Sequence, residues 1–224
     1  MRTQFHDRLE ATEHDLLRLG ELAASAVQTA VSAFVSRDDE AAAQVIASDD
    51  AIDDLYLEID HRTLSMVALQ APVAADLRLV SAILHSCLHL ERSGDQAVNI
   101  AKIQLATNGL PAAPVMQEQI GEMGDLVVQM LRVSLEAFSH RDVRRAEQLQ
   151  ALDDPVDRLN RATHLEALKL ARDPQGLDWG LHANMAARAL ERVGDQAVDI
   201  GEQVVYLVTG EFREFTDASH KVER

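Results

Sequence analysis

The chain is poor in cysteine and in aromatic residues. Cys87 is its single cysteine, which excludes an intramolecular disulfide framework and favours a reducing compartment. Aromatic residues make up only 4% of the 224 residues, whereas 47% are hydrophobic and alanine and leucine are abundant. This composition is typical of helices that pack closely on one another and is not typical of a β-rich fold.

Basic residues are also scarce relative to acidic ones. The chain has 21 lysines and arginines against 37 aspartates and glutamates, a formal net charge of −16. Such a surface repels phosphate backbones, so we expect no direct binding of nucleic acid. Metal cations or basic protein surfaces are better matched partners. The sequence contains neither a glycine-rich phosphate loop nor a nucleophile motif, and no anion site is evident.

No long apolar run is present. Residues 1–8 lack the apolar segment of a signal peptide. The least charged stretch, residues 22–36, is interrupted by serine, threonine and glutamine and is too short and too polar to span a bilayer. We therefore expect a cytoplasmic protein without direct membrane insertion.

Helical periodicity is nearly continuous and occurs in two similar halves. We predict helices over about residues 5–36, from a cap at Asp38 to about residue 71, and over about 73–107. Residues 108–114, NGLPAAP, form the one convincing linker. The pattern then restarts, which divides the chain into a first three-helix repeat (1–107), the linker (108–114) and a second repeat (115–224). The predicted fold is all-α, either two tandem three-helix bundles or one fused six-helix body.

One ten-residue segment occurs twice, one hundred positions apart. Residues 91–100 read ERSGDQAVNI and residues 191–200 read ERVGDQAVDI, so eight of ten positions are identical. Each copy keeps a glycine inside a helix, although glycine there costs about 1 kcal/mol relative to alanine. Gly94 and Gly194 therefore indicate close approach by a neighbouring helix.

Acidic residues four apart recur at the border of the predicted apolar face. Asp49 and Asp53 lie on the second helix and Glu91 and Asp95 on the third, and the second half repeats the arrangement at Asp153, Asp157, Glu191, Asp195 and Asp199. Carboxylates gathered beside an apolar face need a cation or hydrogen bonds to compensate their desolvation. Oxygen ligands from adjacent helices hold iron, manganese or magnesium in helical bundles. The competing interpretation is a solvated acidic face.

The neighbouring histidines and Cys87 are weaker candidates for functional residues. His85 and His89 are four apart, but they point away from Glu91, and the second copy has Met185 and Ala189 at these positions. We interpret both histidines as ordinary polar-face residues and Cys87 as a core residue.

Taken together, these patterns resemble the PhoU family of bacterial phosphate-signalling accessory proteins. The resemblance rests on the doubled Glu-Arg-x-Gly-Asp-x-x-x-x-Ile motif, on the Asp-x-x-x-Asp helix about 40 residues before each copy, and on the segment QAPVAADLR at residues 70–78. It covers essentially the whole chain. It implies two three-helix bundles related by pseudo-symmetry, often assembled as a homodimer, and multinuclear metal sites at the acidic motifs in some members.

The resemblance also implies a function without catalysis. A family member would be a negative regulator of phosphate uptake and of the phosphate-starvation response. Its partners would be the ATPase subunit of the phosphate ABC transporter and a phosphate-sensing histidine kinase, which places it at the periphery of membrane protein complexes. Structural or regulatory iron, zinc, manganese or magnesium would bind at Asp49, Asp53, Glu91 and Asp95 and, in the second half, at Asp153, Asp157, Glu191, Asp195 and Asp199.

Two departures from the family pattern affect the predicted sites. Asn99 stands where the second copy has Asp199, so the first site is expected to hold metal less tightly or to carry fewer ions. Pro155 should kink the second acidic helix or mark a restart, which would disturb Asp153. Two alternatives remain open at this point. One is a carboxylate-bridged metalloenzyme, although no Glu-x-x-His pair recurs in both copies, and the other is a helical adaptor without metal.

Overall fold

The computed structural model describes the backbone of residues 2–215, and all regular secondary structure in that range is helical. The helical segments are α1 (Arg2–Ser36), α2 (Asp39–Ala47), α3 (Asp50–Gln70), α4 (Ala74–Ala106), α5 (Pro114–His140), α6 (Val143–Glu147), α7 (Leu149–Lys169) and α8 (Pro174–Thr209). The predicted all-α class is confirmed. Residues 216–224, which belong to the predicted second repeat, lie outside the described part of the chain.

The first helix of each half ends in the same turn. α1 is followed by Arg37 at φ 60° and α5 by Arg141 at φ 56°, both in the left-handed region that reverses the chain. The next residue caps the following helix, because the carboxylates of Asp38 and Asp142 accept backbone N–H bonds at 3.0 and 3.1 Å. The cap predicted at Asp38 is confirmed, and the second half repeats it.

The second helix of each half is interrupted, and the prediction of one continuous helix was wrong. Ser48 and Asp49 form a turn between α2 and α3, and Gln148 separates α6 from α7. The six predicted helices are therefore present as eight segments. α7 also continues through Pro155, because the restart lies earlier, at Gln148. This position leaves the proline in the second turn of its helix, where one intrahelical hydrogen bond is lost without ending the helix.

Each half forms a three-helix bundle. α1 and α4 run parallel, since His6 lies 3.8 Å from Asp76 near their beginnings and Arg37 donates a 3.3 Å hydrogen bond to the carbonyl of Thr107 near their ends. The broken helix α2–α3 packs against α1 and α4, and α6–α7 packs against α5 and α8 in the same way.

The two bundles share one hydrophobic core. α1 packs on α5 and α4 packs on α8, and the buried apolar residues of both halves form a single cluster. Phe34 of α1 stacks near Trp179 of α8, with ring centroids 5.8 Å apart. Cys87 is fully buried in this cluster, as predicted. Both arrangements left open by the sequence therefore apply, since two bundles are recognisable and are fused through a continuous interior.

Reciprocal contacts show that the halves are related by an approximate twofold axis. A Cβ built on Gly20 of α1 would lie 2.5 Å from Leu135 of α5, and a Cβ built on Gly124 of α5 would lie 2.5 Å from Val31 of α1. Gly124 and Leu135 stand 104 positions after Gly20 and Val31. A glycine that faces a branched aliphatic side chain of the other helix thus occurs twice across the α1–α5 contact.

No helix in residues 2–215 combines the length and the apolar composition required to cross a bilayer.

Candidate functional site

The first acidic cluster consists of four carboxylates contributed by two helices. Asp49 lies in the turn just before α3, Asp53 lies in the first turn of α3, and Glu91 and Asp95 lie on α4. Burial, followed by Asp53 and Asp95, raises the pKa of Asp49, while Lys102 lowers it. The pKa of Glu91 is raised by burial and then by Asp95 and Asp53. The four predicted residues therefore lie within electrostatic reach of one another.

The second acidic cluster repeats this arrangement. Asp153 and Asp157 of α7 face Glu191 and Asp195 of α8. Burial, with added repulsion from the neighbouring carboxylates, raises the pKa of both Asp153 and Asp195 to about 6. Asp195 shows this shift although the residue as a whole is exposed to solvent. Burial is the largest cause of both shifts, and repulsion by the neighbouring carboxylates adds to it.

Asp153 carries an unpartnered oxygen inside the second cluster. Its Oδ1 atom is buried and makes no hydrogen bond within the described chain. Buried polar atoms without a partner are rare in native proteins and cost about 1–3 kcal/mol. This oxygen lies against Gly194, where a Cβ would come within 2.9 Å of it. The close approach predicted for Gly194 is confirmed, and here the approaching group is a carboxylate.

Gly94 has the equivalent place in the first cluster with a different neighbour. A Cβ at Gly94 would lie 2.9 Å from Cδ1 of Ile52, an apolar side chain of α3. Both glycines therefore accommodate the broken second helix of their own bundle. The group that lies against the glycine thus differs between the clusters, a methyl group in the first and a carboxylate in the second.

Asp199 does not belong wholly to the second cluster. It raises the pKa of Asp195, yet its Oδ2 atom lies 3.3 Å from Nδ1 of His89 in the other repeat. The same ring nitrogen lies 2.6 Å from Oε1 of Gln196. The interpretation of His89 as an ordinary polar-face residue was wrong, because the antiparallel contact of α4 with α8 places it against the second copy of the motif. His85 is exposed, as expected.

In residues 2–215, no three His, Cys, Asp or Glu side chains are arranged as a group that could hold a metal ion. The carboxylates converge at the margin of the core in both halves, but their oxygens are not preset as a coordination shell. Metal binding at the nine predicted residues therefore stays a prediction. The unpartnered Asp153 oxygen is the feature that best fits a cation, since it lacks any other compensation.

Two surface grooves between α4 and α8 were not found from the sequence. One has a volume of about 610 Å³ and is lined by cationic, amide and apolar side chains but by no carboxylate, and we call it the cationic groove. The other, of the same volume, includes His85, His89, Asp199, Glu202 and Glu214, and we call it the acidic groove. The sequence motifs gave no sign of the cationic groove. Its residues are far apart in sequence and carry no local motif.

The comparisons with known proteins agree with this geometry. The model of the PhoU domain matches residues 16–104 and 120–204. The phosphate-specific transport system accessory protein PhoU homolog of Pseudomonas aeruginosa is 34% identical over 220 residues, which cover 97% of this chain and 88% of that protein. The corresponding homolog of Clostridium acetobutylicum is 32% identical over 215 residues, with 95% and 98% covered.

Solved structures show the same fold. The crystal structure of PhoU from Pseudomonas aeruginosa matches with a TM-score of 0.87 at 33% identity, covering 92% of this chain and all of that one. The phosphate transport system regulatory protein PhoU from Streptococcus pneumoniae gives a TM-score of 0.85 at 32% identity, covering 93% and 99%. Matching sequence, fold and doubled motif over nearly the whole length show that the chain belongs to the PhoU family.

Proposed function

We propose that this protein is a negative regulator of phosphate uptake and of the phosphate-starvation response. The observation that carries the proposal is the match, over more than nine-tenths of the chain, to relatives named as accessory proteins of the phosphate-specific transport system. Its action would be to bind two partners, the ATPase subunit of the phosphate ABC transporter and a sensor histidine kinase, and to hold the kinase in its inhibitory state when phosphate is plentiful.

The charge of the molecule supports docking on basic protein surfaces. A net charge of −16 produces a long-range field that speeds encounter with a positive partner and makes the encounter sensitive to salt. With no bilayer-spanning helix in the described chain, association with a membrane complex would be peripheral, from the cytoplasm. Assembly as a homodimer is part of the proposal.

Deletion of the gene tests the regulatory role. Cells lacking the protein should produce high alkaline phosphatase activity in phosphate-rich medium, and expression of the intact chain should restore repression. Any second gene of the family must be deleted as well, because a duplicate would hide the loss. Unchanged phosphatase activity in the strain without either gene would contradict the proposal.

Affinity capture with the tagged chain tests the two partners. The transporter ATPase and the kinase should be recovered at low salt, and high salt should reduce their recovery.

We also propose that the acidic clusters bind hard metal ions in a structural or regulatory role. The first site would use Asp49, Asp53, Glu91 and Asp95, and the second Asp153, Asp157, Glu191 and Asp195, with Asp199 at its edge. Support comes from the unpartnered Asp153 oxygen and from the raised pKa values, since a cation would relieve both. Oxygen-only ligands favour magnesium and manganese, and iron and zinc would also accept such ligands.

Elemental analysis of protein purified without chelator tests the metal proposal. The variant Glu191→Ala with Asp195→Ala should contain less metal than the native chain. Glu91→Ala with Asp95→Ala is the matched pair in the first repeat and should lower the metal content by a smaller amount, because that cluster is less perturbed. Equal metal content in all three proteins would remove the proposal. The metalloenzyme alternative is not favoured, because the curated relatives are named as transport accessory proteins.

A further inference from the structure

The cationic groove stands out in a strongly acidic molecule. α4 supplies Lys102 on one wall, and α8 supplies His182, Arg188 and Arg192 on the other. Lys102, Arg188 and Arg192 make no hydrogen bond or ion pair within the described chain. At longer range, Lys102 lowers the pKa of Asp49 and Arg192 lowers that of Asp195. Three permanent cations without a direct partner thus line one concave surface that contains no carboxylate.

Comparison with the acidic groove shows that the fold itself does not demand this charge. The two grooves are related by the approximate twofold axis, so residues 100 positions apart correspond. Lys102 corresponds to Glu202 and Asn99 to Asp199, so the equivalent wall is acidic in the other groove. The uncharged Leu88 stands where the second repeat has Arg188. The positive charge is therefore a property that one groove has and its counterpart lacks.

The shape and lining of the groove indicate the class of ligand. Arg188 and Arg192 lie four residues apart on one helix face, and Lys102 faces them from α4. Guanidinium groups form paired hydrogen bonds with phosphate oxygens, and the amide groups of Gln96 and Asn99 add further donors. Because the charges stand on two walls, an anion with several charged groups can contact both. The volume of about 610 Å³ lies in the range of small-molecule sites.

The buried side chains between the walls also favour a small ligand. Ile103 and Ala189 contribute to the groove and are 9% and 5% exposed, so they offer an apolar surface beneath the charged rim. The overall negative field opposes the approach of anions, and the local group of cations offsets this field at the groove. We propose that the cationic groove is a binding site for a small anion with two or more phosphate groups. This inference rests on the groove and is independent of the proposed regulatory role.

Calorimetric titration of the chelator-treated full-length chain at low ionic strength tests the site. The probes are inorganic tripolyphosphate, ATP, orthophosphate and a hexaglutamate peptide. The native chain should bind tripolyphosphate and ATP at least tenfold more tightly than orthophosphate or the peptide, and added sodium chloride should weaken both. Lys102→Ala combined with Arg188→Ala should reduce the affinity for tripolyphosphate at least tenfold.

Arg92→Ala is the matched control, because Arg92 is the counterpart of Arg192 in the other repeat and does not line the cationic groove. It removes one positive charge, as Arg188→Gln does, and should change the affinity for tripolyphosphate less than twofold. The single variant Arg188→Gln, which keeps a polar side chain on the surface, should weaken binding as well and guards against a folding defect in the double variant.

Four results would overturn the inference. The first is no binding of tripolyphosphate at millimolar concentration, and the second is equal affinity of the native and double-variant proteins for tripolyphosphate. The third is equal affinity of the native chain for orthophosphate and tripolyphosphate. The fourth is binding of the hexaglutamate peptide that is as tight as that of tripolyphosphate or tighter. The last result would identify the groove as a docking surface for an acidic protein segment.

Discussion

Asp153 holds a carboxylate in a place where both burial and neighbouring charge oppose ionisation. Its pKa of about 6 lies above the ordinary value of 3.8, so the folded chain binds this proton more tightly than the unfolded chain. The stabilisation that comes from protonation is fully present below about pH 4 and is lost as the pH rises through about 6. At neutral pH without metal, the ionised group therefore weakens the fold.

Replacement of this carboxylate by an amide should stabilise the metal-free protein. In chelator at pH 7.5, we expect Asp153→Asn to raise the melting temperature by about 2–4 °C, which corresponds to about 1 kcal/mol in a chain of this size. The gain should shrink toward pH 5, where the native side chain takes up its proton. Asp154→Asn, at the exposed next position, is the control and should change little. A lower melting temperature for Asp153→Asn at pH 7.5 would contradict this account.

Added metal should stabilise the Asp153→Asn variant less than it stabilises the native chain. If manganese binds the second cluster, it raises the melting temperature of the native chain by mass action. Asp153→Asn removes one ligand, so its melting temperature should respond less to added manganese than that of the native chain. Thermal melts over a manganese titration measure the difference, and parallel responses of the two proteins would show that Asp153 is not a ligand.

Helices α1 and α5 approach closely because glycine on each one receives a branched side chain from the other. Val31 occupies the space beside Gly124, and Leu135 occupies the space beside Gly20. A methyl group at either glycine must push a buried side chain aside. Gly121, three residues earlier on α5, has only an ordinary contact at 3.6 Å with Val35.

The two glycines of α5 should therefore respond differently to alanine. Both substitutions gain about 1 kcal/mol of helix propensity. Gly124→Ala also overpacks the contact with Val31, so it should be less stable than Gly121→Ala by about 1–3 kcal/mol. Urea denaturation followed by circular dichroism measures both free energies of unfolding. Equal stability of the two variants would mean that the α1–α5 contact adapts without cost.

The sequence predicts those parts of the architecture that depend on residues close together in the chain. The Asp38 cap, the helix ends near Ser36 and Ala106 and the pairing of Asp49 with Glu91 follow from motifs and periodicity within one repeat. The break at Ser48–Asp49 was missed because the apolar pattern continues across it. The His89–Asp199 contact was missed because it depends on how one bundle rests on the other.

The whole chain should unfold as one unit. The buried side chains of both repeats form a single cluster, and α1–α5 and α4–α8 bury large faces of each repeat against the other. We expect one calorimetric transition, with the van't Hoff enthalpy equal to the calorimetric enthalpy. An isolated chain of residues 1–113 should unfold at a lower temperature or self-associate, since it exposes those faces. Two separate transitions in the intact chain would contradict a shared core.

Covalent joining of the two repeats has an evolutionary consequence that the paired grooves make visible. Had a single repeat assembled with an identical copy, every substitution would appear on both sides of the symmetry axis. A lysine at one site would always be accompanied by a lysine at the symmetry-equivalent site, and opposite charges could not evolve at the two sites. Two repeats within one chain are free of this constraint, and Lys102 and Glu202 occupy equivalent positions in a single molecule. The fusion thereby allowed a symmetric scaffold to acquire two chemically distinct faces.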